Sequence, residues 1–166
     1  FAFQGCDGLE ELTLPDTQIS LGKQAFGACH ALRTVTLPVD YDISQNPFGG
    51  SSVSTTTSGV TTIHYTYGQT GTMTDRTKDS NEVNYHSKTL EYASRNSIQY
   101  IDFEDGVSNI GACLFYPGSS SLTTVKLPST LKTVGDYAFY GCTALPDMQW
   151  NEGLVSLGDH AFYNCD

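Results

Sequence analysis

Apolar and polar residues follow a fixed phase along this chain. An Ala-Phe pair is followed by Cys three residues after the phenylalanine, then by an apolar triplet spaced x-x-Leu-x-Leu, then often by proline. The first copy reads Ala2-Phe3, Cys6, Leu9, Leu12, Leu14, Pro15, and the second Ala25-Phe26, Cys29, Leu32, Val35, Leu37, Pro38. Phe3 to Phe26 is 23 residues, Phe115 to Phe139 is 24, and Phe139 to Phe162 is 23. Further triplets are Ile98/Ile101/Phe103, Leu122/Val125/Leu127 and Leu145/Met148/Trp150. The second half of each triplet alternates apolar and polar, which predicts a short strand. Leu12 and Leu14 should point inward, Glu11 and Thr13 outward.

A period of 20–29 residues with this spacing marks a repeat solenoid of the leucine-rich repeat kind. The predicted fold is a leucine-rich repeat right-handed superhelix. Short parallel β-strands occupy one face, and helical or 3₁₀ turns or loops the other. No single coil can bury its apolar side alone, so the coils stack. Proline after the triplet (Pro15, Pro38, Pro128) should end strand pairing, because it has no N–H. Gly22, Gly111, Gly135 and Gly158 each lie four residues before a phenylalanine, which suits either a positive φ or a close backbone approach.

Two copies are irregular. Val60/Ile63/Tyr65 fits the triplet, but the Gly49–Thr57 run lengthens the approach from Phe48. Tyr92 lies six residues before Ile98, where other copies carry phenylalanine, and is expected to replace it. Six strands are then expected in one domain spanning 1–166, with insertions near 49–58 and 66–89. Residues 85–94 could form a short returning helix. The chain begins within one repeat and stops within another, without polar caps. It is therefore expected to be truncated at both ends.

These residues resemble the BspA-type leucine-rich repeat family of bacterial and protozoan surface proteins. The likeness is clear in Val134-Gly135-Asp136-Tyr137-Ala138-Phe139-Tyr140-Gly141-Cys142 and covers about 1–48 and 90–166, with a weaker match at 58–65. Cys113 departs from it, standing two residues before Phe115 instead of three after. The resemblance implies an extracellular or cell-surface location and a part in adhesion, with no catalytic motif to carry over.

Composition narrows the choice. A net charge of −10 opposes nonspecific nucleic-acid binding. No apolar run approaches the roughly 20 residues of a membrane-spanning helix. Five cysteines cannot all pair with one another. Cys6, Cys29, Cys142 and Cys165 share one repeat position and read as small buried packing residues. A disulfide between neighbouring coils falls within Cα reach, but parallel Cβ vectors suit it poorly. Zinc would need a Cys-x-x-Cys element that is absent, and no metal or cofactor is expected. No histidine stands in a metalloprotease spacing.

The outward strand positions hold many threonines, with one distinctive group: His64, Tyr100, Asp102, Glu104 and Lys126. Rung order makes His64, Asp102 and Lys126 neighbours. Tyr67 belongs to a polar, aromatic, glycine-rich stretch (65–73) that is either a second contact surface or disordered. Asp75, Asp79, Asn81 and Glu82 supply oxygen ligands, yet lack the EF-hand order. The expected function is non-catalytic recognition or adhesion, with an extracellular protein or glycan as ligand. The alternative is a structural spacer without a ligand of its own.

Overall fold

A computed structural model describes residues 2–49, 56–76 and 89–165. The chain winds as a solenoid with two parallel sheets along its length. The first sheet holds β1 (Glu11–Thr13), β2 (Thr34–Pro38), β3 (Thr62–Thr66), β4 (Tyr100–Phe103) and β6 (Thr124–Lys126), in that order. The second holds β5 (Asn109–Ile110), β7 (Thr133–Val134) and β8 (Ser156–Leu157). One helical turn, α1 (Leu90–Ala93), interrupts the series.

The apolar alternation sets the inner face of the first sheet. Val35, Ile63 and Ile101 stand opposite one another in register, and all are fully buried. Leu37, Tyr65 and Phe103 form the next buried row. Each rung is joined to its predecessor by a shared acceptor. The N–H groups of Arg33 and Thr34 both donate to Glu10 O, at 2.8 and 3.2 Å. Thr61 and Thr62 donate to Arg33 O, Gln99 and Tyr100 to Thr61 O, and Thr123 and Thr124 to Gln99 O.

The phenylalanines line up inside. Phe3 stacks on Phe26 at 5.4 Å between ring centroids, and Phe26 on Phe48 at 5.5 Å. Phe115, Phe139 and Phe162 form a second stack, at 5.8 and 5.0 Å. The two stacks are separated by the α1 coil, which corrects the expectation for Tyr92. That residue is half-buried, with the Arg95 guanidinium 4.0 Å from its ring centroid, and Leu90 supplies the buried side chain. Thr89 caps α1 by accepting from Tyr92 N, so this coil enters as a helical turn and a different side chain points inward.

Three other expectations change. Five strands form the first sheet, not six, because residues 145–150 do not pair with β6. The reason is Pro146: it occupies the place of Arg33, Thr61, Gln99 and Thr123, whose N–H groups make the join. Consequently Met148 and Trp150 of the last triplet are not strand residues. Pro38 does not end pairing: β2 includes it opposite Thr66, where its neighbour makes the bond, Val39 N donating to Thr66 O at 3.0 Å. Of the glycines before the phenylalanines, Gly111, Gly135 and Gly158 serve close approach, none has a positive φ, and a Cβ on Gly22 would meet nothing. A Cβ on Gly135 would lie 2.5 Å from Ala112 N, and one on Gly158 2.4 Å from Asp136 N. Positive φ instead recurs two residues before the ring, at Gln24, Asn46, Cys113, Tyr137 and His160.

The stretch expected to be inserted after Thr66 is described as far as Arg76. Its residues stack on the following coil: Ser108 N donates to Gly71 O, Met73 N to Asn109 O and Arg76 N to Ala112 O. Asp79, Asn81, Glu82 and His86 lie outside the described residues. Asp75 is engaged as an acceptor, 2.8 Å from Ala112 N.

Candidate functional site: the polar cluster on the strand face

Outward residues of adjacent rungs are held a strand spacing apart, so register decides which side chains can meet. His64 pairs with Asp102 and Asp102 with Lys126, while Tyr100 lies between Thr62 and Thr124. On the page of threonines formed by Thr34, Thr36, Thr62 and Thr124, these four residues make a connected polar group. His64 Nδ1 lies 2.6 Å from Asp102 Oδ1. Tyr100 Oη donates to Asp102 Oδ2 at 3.2 Å. The His64 and Tyr100 rings are 5.9 Å apart, and Lys126 Nζ is 5.4 Å from the Tyr100 centroid. Hydrogen bonding to the Tyr100 side chain, with a weaker pull from Asp102, raises the Lys126 ammonium above its ordinary value. His64 and Asp102 keep 39% and 31% of their side-chain surface exposed, so the pair is fixed yet reachable.

Glu104 and Tyr67 lie beyond the ends of β4 and β3 and serve another contact. Glu104 Oε2 accepts from Tyr67 N at 2.9 Å. The Tyr67 ring covers Gly106 and Gly71, where a Cβ would meet it at 2.7 and 2.4 Å. Among the described residues, neither side chain hydrogen-bonds to the four-residue group. Beside them, Asp40 Oδ2 accepts from Gln69 N and Thr70 N at 2.9 and 3.1 Å, which fixes the turn after β3.

The sequence pattern did not reveal a buried group behind this face. Glu91 Oε1 accepts from Arg76 Nη2 at 3.1 Å and from Tyr65 Oη at 2.5 Å. Tyr41 Oη lies 3.5 Å from the same oxygen. Burial and the Glu91 charge push both phenols up. Burial pushes the Glu91 carboxyl up as well, but Arg76 and the hydrogen bond from Tyr65 outweigh it and leave the group below its ordinary value. This pair joins the 74–76 segment to α1 and is structural.

A cluster of rings on the turn side was also missed. Tyr116, Tyr137, Tyr140, His160 and Tyr163 touch ring to ring, with Tyr137 and His160 parallel at 5.1 Å. Adjacent-coil spacing of the tyrosines was the available signal. All five cysteines carry free thiols. Cys29 Sγ donates to Phe3 O and Cys165 Sγ to Phe139 O, at 3.1 and 3.0 Å, each reaching one coil back. Burial pushes the Cys142 thiol up to about 12.

The arrangement is a leucine-rich repeat solenoid. The chain matches the BspA type Leucine rich repeat region, in six copies, over residues 1–116 and 87–166. It belongs to that family. Its structure is similar to a leucine-rich repeat protein from Eubacterium ventriosum ATCC 27560, at a TM-score of 0.56 and 18% identity. That likeness covers 93% of this chain and 42% of the other. A leucine rich cell surface protein from Faecalibacterium prausnitzii A2-165 aligns at a TM-score of 0.37 and 16% identity, over 94% of this chain and 45% of its own. The chain thus spans less than half the length of either protein. No curated protein matches it in sequence. Among the described residues no helix is long and apolar enough to cross a membrane.

Proposed function

We propose that this chain is a non-catalytic recognition module of an extracellular or cell-surface protein, binding a protein or glycan ligand on its strand face. The observation that carries the reading is the His64–Asp102–Tyr100–Lys126 group. Its side chains are oriented by one another before any ligand arrives, which lowers the ordering cost of binding. It offers a donor and an aromatic ring within one patch, and tyrosine is a frequent binding hot spot. The sheet beneath is a stacked, buried scaffold, so the patch has a fixed shape. Membership of the BspA-type family supports the location. We read the module as one continuous solenoid, with departures from the repeat near 49–58 and 66–89, and with Glu104 and Tyr67 bordering the patch.

The test is a binding array of extracellular proteins and glycans, probed with the wild type and with a Tyr100→Ala, Asp102→Ala, Lys126→Ala triple variant. Loss of a hot spot should weaken capture by about 30-fold or more. Identical profiles for the two would remove the patch from the binding surface. A wild type without any ligand would favour the spacer reading.

A further inference from the structure

β6 is an outer strand of the first sheet and, among the described residues, pairs with β4 alone. Residues 145–150 occupy the sequence position of the next rung. Pro146 cannot donate where the preceding rungs do, and no backbone hydrogen bond joins 146–150 to β6. Between the two segments lies a cleft of about 460 Å³, lined by residues 123–127 and 146–149. Val125 is half-buried there, although Val35, Ile63 and Ile101 of the same row are fully covered. Leu127 and Met148 are also half-buried, and Lys126 and Asp147 stand exposed beside them. Thr124 N already donates to Gln99 O, so strand alternation turns the Val125 N–H to the free edge.

A row of unpaired backbone groups is matched by another extended backbone. We propose that this cleft takes an extended segment of a partner polypeptide, added to β6 as a parallel rung. The apolar floor at Val125 and Met148 accepts alternate side chains, and the remaining side chains continue the row His64–Asp102–Lys126. The added strand sits at the usual spacing of about 4.8 Å from β6. This deepens the recognition reading, on which it rests for the premise that the strand face meets a partner, and it names polypeptide as the ligand class.

The probe is a synthetic peptide of Leu32–Pro38, because that rung already pairs in parallel on both sides within this fold. It is titrated into isotope-labelled protein while amide shifts and hydrogen exchange of β6 are followed. Saturable binding below about 1 mM, with slowed exchange at Val125, is the expected result. Pro146→Thr restores the missing donor and closes the cleft, and should weaken binding at least about tenfold while the fold stays intact by circular dichroism. The same peptide methylated on alternate backbone nitrogens should not bind. A Glu11→Ala variant, altered on β1 at the opposite edge of the same sheet, should bind within about twofold of wild type. No saturable shift at about 1 mM, equal binding by Pro146→Thr, or equal binding of the methylated peptide would overturn the proposal. So would concentration-dependent protection of Val125 without peptide, which would place a second copy in the cleft. If the peptide fails while array capture still depends on Tyr100 and Asp102, the edge proposal falls and the patch stands.

Discussion

Arg76 and Glu91 form an ion pair at 3.1 Å with both side chains fully sealed from water. They come from the two ends of the 77–88 segment and so fasten its flanks to the solenoid. Among the described residues, Glu91 Oε2 and Arg76 Nε have no hydrogen-bond partner, which makes the pair dependent on its few contacts. Glu91→Ala should cost about 3–5 kcal/mol, as loss of one member of a buried pair does. Replacing both with apolar residues of similar volume should cost much less. Urea unfolding of the single and double variants decides this.

The same pair gives stability an acid limb. The folded Glu91 carboxyl titrates below its unfolded value, so the unfolded chain binds the proton more readily. Its contribution is therefore complete above the unfolded value of about 4.5 and is lost as pH falls through the lower, folded value. Unfolding free energy measured from pH 7 down to pH 3 should fall more steeply in wild type than in Glu91→Gln. Parallel curves would assign the acid sensitivity to other carboxylates.

The ring stacks should differ in worth from the middle to the end. Phe139 is fully buried between Phe115 and Phe162, while Phe3 is 53% exposed. Phe139→Ala should cost about 3–5 kcal/mol and Phe3→Ala under about 1 kcal/mol. Equal shifts in denaturation midpoint would mean that Phe139 is not part of the inner stack.

Two one-carbon changes should act in opposite directions. Gly135→Ala places a methyl 2.5 Å from Ala112 N and must part the coils, at about 1–3 kcal/mol. Ala28 has φ of 57°, a left-handed conformation, so Ala28→Gly should be neutral or stabilising by up to about 1 kcal/mol. Thermal melts of the two variants test which backbone rule governs each turn.

The ladder thiols should react slowly in the folded protein. Cys142 is buried and its thiol is pushed up to about 12, leaving little thiolate at neutral pH. Mass mapping after timed maleimide treatment should show Cys142 modified only on unfolding. Rapid modification would place it at the surface.

The inner rows were legible because each triplet repeats the same inward positions, and the His64–Asp102–Lys126 row followed from register alone. Arg76 and Glu91 gave no signal, since apolar periodicity has no place for a buried charge. Tyr92 matched the aromatic spacing, yet the cap at Thr89 turned that coil into a helix. The second sheet escaped notice because two-residue strands such as Thr133–Val134 are too short to alternate. Gln24, Tyr137 and His160 do not advertise a left-handed backbone as glycine would. Pro146 was readable, and comparison with Arg33, Thr61, Gln99 and Thr123 would have exposed the missing rung.

The converging bond at the start of each rung uses a carbonyl oxygen of Glu10, Arg33, Thr61 or Gln99. Those four side chains differ in charge, length and branching; of them Thr61 adds its hydroxyl to the join, donating to Arg33 O at 3.3 Å. Mutation there can redecorate the exterior without loosening the winding, provided proline is avoided. Architecture and surface chemistry are thus inherited separately, which lets one scaffold explore many partners.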